Sequence, residues 1–163
     1  MAIVVRVQTE DFDVGAELTA LRADKPEVGA LASFIGIARD VNKVANDEAR
    51  VGTRIFTLTL EHYPGMTERS IAAICEEACS RWSLFDVTVI HRYGTLVPTD
   101  QIVLVATSSA HRGDALDACG FIMDFLKTQA PFWKKESTPD GERWVDARAS
   151  DDQALARWAE PAA

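Results

Sequence analysis

The chain has 163 residues, with 25 acidic and 17 basic side chains and a formal net charge of -8. That length fits one domain over 1–163 with a sizeable core, while the acidic balance and a sequence pI near 4.8 exclude broad contact with nucleic-acid phosphate. No apolar run reaches the roughly 18 to 20 residues that span a bilayer, and an odd set of cysteines (Cys75, Cys79, Cys119) without metal-ligand spacing or a leader points to a reducing cytoplasm.

In chain order, Ala2 to Val7 predicts a strand rich in branched residues, followed by a short helix through Ala16, Leu18 and Leu21 capped by Asp13 and closed by Pro26. Val28 to Ala38 is apolar with Gly29 and Gly36 inside it, which predicts a strand with a bulge or a close backbone approach, ended by Arg39. Asp40 to Gly52 is polar and aperiodic, and predicts a mobile loop beside Arg39. Arg54 to His62 alternates, placing Phe56, Leu58, Leu60 and His62 on one face of a strand, and Tyr63-Pro64-Gly65 turns the chain.

Met66 to Trp82 carries Ile71, Ile74, Cys75, Ala78 and Trp82 at helical spacing. Phe85 to Tyr93 and Gln101 to Thr107 predict antiparallel neighbours joined around Pro98-Thr99-Asp100. A third helix starts at Arg112, where Leu116, Cys119, Ile122, Met123 and Leu126 form one stripe, and it must stop before Pro131. Phe132 to Glu136 and Arg143 to Ala147 pair across Thr138-Pro139-Asp140-Gly141, and Ser150 with Gln153 forms a capping box for a last helix over about 150–158. Helices and strands alternate without a glycine-rich phosphate loop, so the expected class is α+β with a mixed or antiparallel sheet.

Around the third helix lie His111, Arg112, Lys127, Lys134 and Lys135, a cationic group in an acidic chain. His111 and Arg112 stand at its N-terminus, where unpaired N–H groups and the dipole favour a phosphate or carboxylate. A lysine beside another cation or in a dry setting exchanges protons nearer neutrality, which makes Lys127 and Lys134 acid-base candidates. From Arg112 to Lys127 the helix rises roughly 22 Å, too far for both ends to serve one small ligand unless the exit strand returns beside the helix or two copies of the chain share each pocket. Residue chemistry alone favours the plainer reading, in which charges at helix ends are solvated. His62 and His91 fall in strands, where a hydrogen-bonded histidine near the core is the commoner role, and neither zinc spacing nor a serine-nucleophile elbow is present.

Several ordered motifs together carry more: SFIGIARD around Arg39, LTLEHYPGM from Leu58, VIHRYG from Val89, SAHR from Ser109, and FIMDFLKTQAPFWKKE ending at Glu136. Over nearly its whole length the chain resembles the catalytic, large subunit of molybdopterin synthase. The resemblance implies an α/β hammerhead-like fold with an added small antiparallel subdomain. It implies a sulfurtransferase that moves sulfur from the C-terminal glycine thiocarboxylate of a small ubiquitin-like subunit to cyclic pyranopterin monophosphate, making the molybdopterin dithiolene. It further implies a heterotetramer around a homodimer of large subunits, with no cofactor or metal held by the chain. Carried onto matching positions, Lys127 and Lys134 are the catalytic residues, and Ile37, Ala38, Arg39, His111, Arg112, Lys135 and Glu136 join them in binding substrate. Ala38, where the family often has a bulkier residue, and the long 40–52 loop are departures.

The alternative is a non-catalytic module that uses the same cations to hold a phosphorylated metabolite or a partner's tail. A phosphoester hydrolase built on His111 lacks a metal motif or a spaced acidic partner.

Overall fold

Alternating branched residues make β1 (Ala2–Gln8) a strand, and it pairs in parallel with β6 (Leu84–Arg92). The protein is seen here as a computed structural model, which describes residues 1–42, 53–145 and 149–159. β6 runs antiparallel to β8 (Gln101–Ser109), as expected, and β8 antiparallel to β2 (Ala30–Ile37), giving a sheet of order β1-β6-β8-β2. β6 and β8 read as near-continuous apolar runs because helices bury both faces of the sheet. On one side α2 (Met66–Arg81) and α3 (Arg112–Gln129) enclose Ile71, Ile74, Val89, Val105 and Ile122. On the other, α1 (Val14–Arg22) covers Phe12, Leu21, Ile90 and Leu104. The Asp13 carboxylate caps α1 by accepting from the Ala16 N–H at 2.9 Å.

Both glycines of the stretch expected as a strand over Val28 to Ala38 act as their positions predict, Gly36 inside β2 and Gly29 just before it. The register of β2 against β8 shifts between Gly36 and Ile37, a bulge at the strand's exit. At Gly29 a Cβ would stand 2.3 Å from the backbone oxygen of Ala110, whereas one at Gly113 would meet open space. Gly29→Ala is therefore expected to cost about 1 to 3 kcal/mol in a urea melt, while Gly113→Ala, on the first turn of α3, gains up to about 1 kcal/mol.

The α3 stripe is centred differently from the pattern expected. Ala115, Ala118, Cys119, Phe121, Ile122, Met123 and Leu126 are buried, and Leu116 is 62% exposed. Leu116 lies about 100° round the helix from Ala115, and the alanines, being small, let the helix settle close on β8.

The second sheet has the order β10-β9-β5-β7, from β5 (Thr57–His62), β7 (Gly94–Leu96), β9 (Phe132–Thr138) and β10 (Gly141–Val145). The single strand expected over Arg54 to His62 is broken. Arg54 belongs to β4 (Thr53–Arg54), paired with β3 (Val41–Asn42). Ile55 then donates its N–H to Asp40, and Phe56 donates to Ser137. This change of partner shifts the alternation by one, so Ile55 is buried and Phe56 exposed. Residues 43–52 of the expected loop, and Asp146 and Ala147 of the expected final strand, lie outside the described residues. The last helix, α4 (Ala149–Ala156), has already begun at Ala149, so Ser150 falls inside its first turn and not before it. Among the described residues no helix is long and apolar enough to cross a membrane.

Candidate active site

The candidate residues of β2 and α3 lie at the two poles of the first sheet, and those of β9 in the second sheet. β8 runs from Gln101, which pairs with Ile37, to Ser109, which pairs with Ala30 and Leu84. α3 then reverses along the sheet, with His111 as its N-cap and Lys127 in its last turn. Its exit is as the proline dictates: Gln129 is the last helical residue and Ala130 is extended. Ile37, Ala38, Arg39 and Lys127 thus share the Gln101 pole, and His111 and Arg112 occupy the Ser109 pole. Within one chain the fold separates Arg39 from His111 and Arg112.

At the Gln101 pole the chain passes from the first sheet to the second through Tyr93, whose N–H donates to Gln8 at 3.0 Å, and Gly94 at φ +89°. An aromatic layer fills this junction. The His91 ring stacks on Phe132 with centroids 3.7 Å apart, and His62 lies 4.4 Å from Tyr93 and 6.1 Å from Phe132. His62 Nδ1 is 3.3 Å from Thr67 Oγ1. Beside this layer Ala38, Leu58, Leu60 and Leu96 form a small core. Ala38 is clasped there, its N–H donating to Asp100 at 2.9 Å and its carbonyl accepting from Thr99 at 2.8 Å. Thr99 itself is held at φ +79°, a region branched residues avoid. The clasp fixes the backbone just before Arg39.

β9 brings the remaining residues. The pleat puts Phe132, Lys134 and Glu136 on the inner face with Leu58 and Leu60, and Lys135 on the outer face. Lys134 Nζ is 4.0 Å from Glu136 Oε1, and Glu136 is fully buried. Lys135 instead reaches Glu142 Oε2 at 3.5 Å and the Trp144 ring at 5.5 Å. Of the expected set, then, Lys134 and Glu136 stand together and Lys135 does not join them. Lys127 approaches the same junction from α3, since its charge acts on His91, which stacks on Phe132.

Sequence reasoning missed Arg143, whose Nε and Nη2 both donate to Glu136 Oε2, at 3.1 and 3.0 Å. Counting outward from the Thr138–Gly141 turn would have set Arg143 opposite Glu136.

Burial lowers the pKa of His91 to about 4, with Lys127 and His62 pressing the same way against a hydrogen bond from Nδ1 to the Arg92 carbonyl at 2.8 Å. His91 is neutral at pH 7, with its Nε2 lone pair outward from that bond. An unfolded histidine takes its proton near pH 6.5, so between about 6.5 and 4 the unfolded chain binds more protons. Stability is expected to fall as pH drops through that window, by at most about 3 kcal/mol, and His91→Gln should flatten the slope in urea melts taken across it.

No thiol of this chain is set up as a nucleophile. Burial pushes Cys75 up to about 12, with the charges of Cys79 and Glu76 adding to it, and Cys119 up to about 11. Cys79 is raised as well, chiefly by burial. All three are unpaired.

A mixed sheet walled by helices, a second antiparallel sheet, and lysines at their junction with no activated thiol define a two-sheet α+β protein whose candidate chemistry is cationic. The MoaE protein family matches residues 7–129, and the chain belongs to that family. The molybdopterin synthase catalytic subunit of Ralstonia nicotianae is 58% identical over 154 residues, 94% of this chain and 83% of its own. The MoaE protein of Burkholderia ambifaria, a solved structure, matches with TM-score 0.78 at 55% identity, over 97% of this chain and 98% of that one. A complex of subunits 1 and 2 of molybdopterin-converting factor from Helicobacter pylori shares the fold at TM-score 0.67 and 19% identity, over 88% of this chain and 91% of that one.

Proposed function

We propose that this chain is the catalytic subunit of a molybdopterin synthase. It transfers sulfur from the C-terminal glycine thiocarboxylate of a small ubiquitin-like subunit to cyclic pyranopterin monophosphate, and two such transfers complete the dithiolene. One observation carries the reading beyond family membership: the site residues are lysines, while burial raises the pKa of Cys75, Cys79 and Cys119. A nucleophilic sulfur that arrives on another molecule fits this arrangement. In this reading the other molecule is the small subunit, and the Helicobacter pylori protein of the same fold is likewise found in complex with a second subunit.

In this reading Lys127 and Lys134 move the protons needed to open the cyclic phosphate and release oxygen. Arg39, with Ile37 and Ala38, receives the substrate at the Gln101 pole. His111 and Arg112 belong to the opposite pole, and a homodimer inside a heterotetramer brings them into the site from a second copy of the chain, which removes the separation along α3. Glu136 serves the site through Lys134, and Lys135 from the outer face. On this reading the chain itself needs no cofactor or metal, and its unpaired thiols suit a reducing cytoplasm.

The test is reconstitution. The purified chain, treated with iodoacetamide, is mixed with thiocarboxylated small subunit and the cyclic pyranopterin. Dithiolene formation at the untreated rate is expected. No product from a partner that is active with another large subunit rejects the sulfurtransferase reading and leaves a binding module.

A further inference from the structure

We propose that Arg143 is a positioning residue for the Lys134 ammonium, acting through the buried carboxylate of Glu136. The inference rests on the reading of Lys134 as an acid-base residue.

The geometry begins at the hairpin turn. Gly141 takes φ +108°, and Thr138 Oγ1 donates to the Gly141 carbonyl at 2.8 Å while accepting from the Asp140 N–H at 3.3 Å. These contacts leave two residues in the loop and lock the register Gly141 to Thr138, Glu142 to Ser137, Arg143 to Glu136. A slip of one residue would turn Arg143 to the outer face. In the observed register Arg143, Glu136 and Lys134 share the inner face, and Arg143 is carried by an edge strand that brings no other candidate residue.

Burying a carboxylate is costly unless it is paired and hydrogen-bonded. Glu136 has no exposed surface, yet Arg143 and Lys134 keep 43% and 38% of theirs. The anion is therefore the fixed member of the group, and the two cations reach it from the solvent side. Arg143 grips one oxygen, Oε2, with two donors. That grip fixes the rotation of the carboxylate and turns the other oxygen, Oε1, toward Lys134 Nζ at 4.0 Å. A planar guanidinium can hold Oε2 through two N–H groups at once; a lysine in its place could supply charge but not the fork.

Such an arrangement acts on Lys134 in two ways. It restricts where the ammonium can stand, and it balances the carboxylate charge that Lys134 feels. Without Arg143 the carboxylate faces one cation fewer and holds the lysine proton more tightly. The limb of the pH–rate profile that reports Lys134 should then move to higher pH, whether the lysine acts as acid or as base.

The experiment uses the reconstituted synthase with Arg143→Met, Arg143→Lys and Lys134→Ala measured side by side. Arg143→Met is expected to lower kcat about 10- to 100-fold with KM for the pyranopterin changed less than threefold, and to shift the Lys134 limb upward. Arg143→Lys should restore the limb toward its original position but recover only part of kcat. If Arg143→Met fails to fold, Arg143→Lys alone decides, since full kcat in that variant overturns the fork. A variant that loses only thermal stability, with kcat and pH profile per folded enzyme unchanged, overturns the positioning role and leaves an ordinary structural ion pair. The two readings fail differently: full turnover in Lys134→Ala removes the lysine assignment itself, whereas a dead Lys134→Ala beside an unaffected Arg143→Met removes only Arg143.

Discussion

Lys127→Ala and Lys134→Ala are each expected to reduce dithiolene formation by about 10²- to 10⁴-fold, the range in which positioned general acid-base groups operate. The two should separate in stability. Lys127 is an exposed side chain at the end of α3, so its loss should change unfolding by less than about 0.5 kcal/mol. Lys134 faces the buried Glu136, and its removal leaves more of the burden of that anion on Arg143, so a larger cost is expected. Arginine at either position tests which property matters. It keeps the charge but stays protonated, so rescue by Lys127→Arg would assign Lys127 to electrostatic binding, and continued inactivity would assign it to proton transfer. A surviving rate in both alanine variants, with the partner still bound, would leave a module that holds the tail and performs no chemistry. The measurement is single-turnover product formation at saturating partner, with a urea melt of each variant alongside.

What could be read from the chain was whatever a few neighbouring residues decide. Asp13 caps α1, Pro131 stops α3, Gly36 marks the bulge and Gly29 the close approach, each through a steric or hydrogen-bonding rule that acts within a few residues or against one neighbouring backbone. The failures arose where the deciding contact is distant. Ile55 and Phe56 exchange burial because the chain changes partner from Asp40 to Ser137, which no local alternation records. Leu116 was favoured over Ala115 by its size, yet the narrow space above β8 selects small residues. The three residues of β7 are too few to display a period.

The candidate site divides in the same manner. Its cations stand out in an acidic chain, and the roughly 22 Å between Arg112 and Lys127 follows from helix geometry alone. That Arg39 lies at the Lys127 pole and away from His111 follows from the β2–β8 register, an antiparallel pairing of residues about seventy apart in sequence. The opposed faces of Lys134 and Lys135 were available from the strand period once β9 was recognised. The adjacency in the motif hid them, because neighbours in a strand are the residues least able to share a face.

Phe121→Ala is expected to be the most destabilising single change, costing about 3 to 5 kcal/mol and lowering the melting temperature by about 6 to 20 °C for a chain of this size. Phe121 has no exposed surface and joins three helices. Its ring meets Trp82 of the α2 exit edge-on at 5.3 Å, Trp158 beyond α4 edge-on at 5.6 Å, and Phe125 on α3 at 4.4 Å, with the Arg81 guanidinium 4.7 Å from its centre. The polar contacts around it depend on that packing. Asp124 Oδ2 accepts from Trp158 Nε1 at 2.6 Å and Arg157 Nε at 2.9 Å, and Arg81 Nη1 donates to the Trp158 carbonyl at 2.9 Å. Without the ring, Trp158 loses the surface that aligns these bonds, so α4 should undock before the sheets unfold. Asp124→Ala removes the acceptor but keeps the aromatic cluster, and should cost only about 1 to 3 kcal/mol. Fluorescence of the Trp82–Trp158 pair, whose rings meet edge-on at 5.5 Å, read in a background where Trp133 and Trp144 are replaced by Phe, distinguishes the two: an early transition in Phe121→Ala and a single late one in Asp124→Ala are expected. Equal losses in both variants would place the strength of the clamp in its hydrogen bonds and not in the ring. Lys127 lies six residues further along α3, more than one turn from the deleted ring, so turnover measured well below the lowered melting point should survive, which separates the helix that carries the amine from the amine's own chemistry.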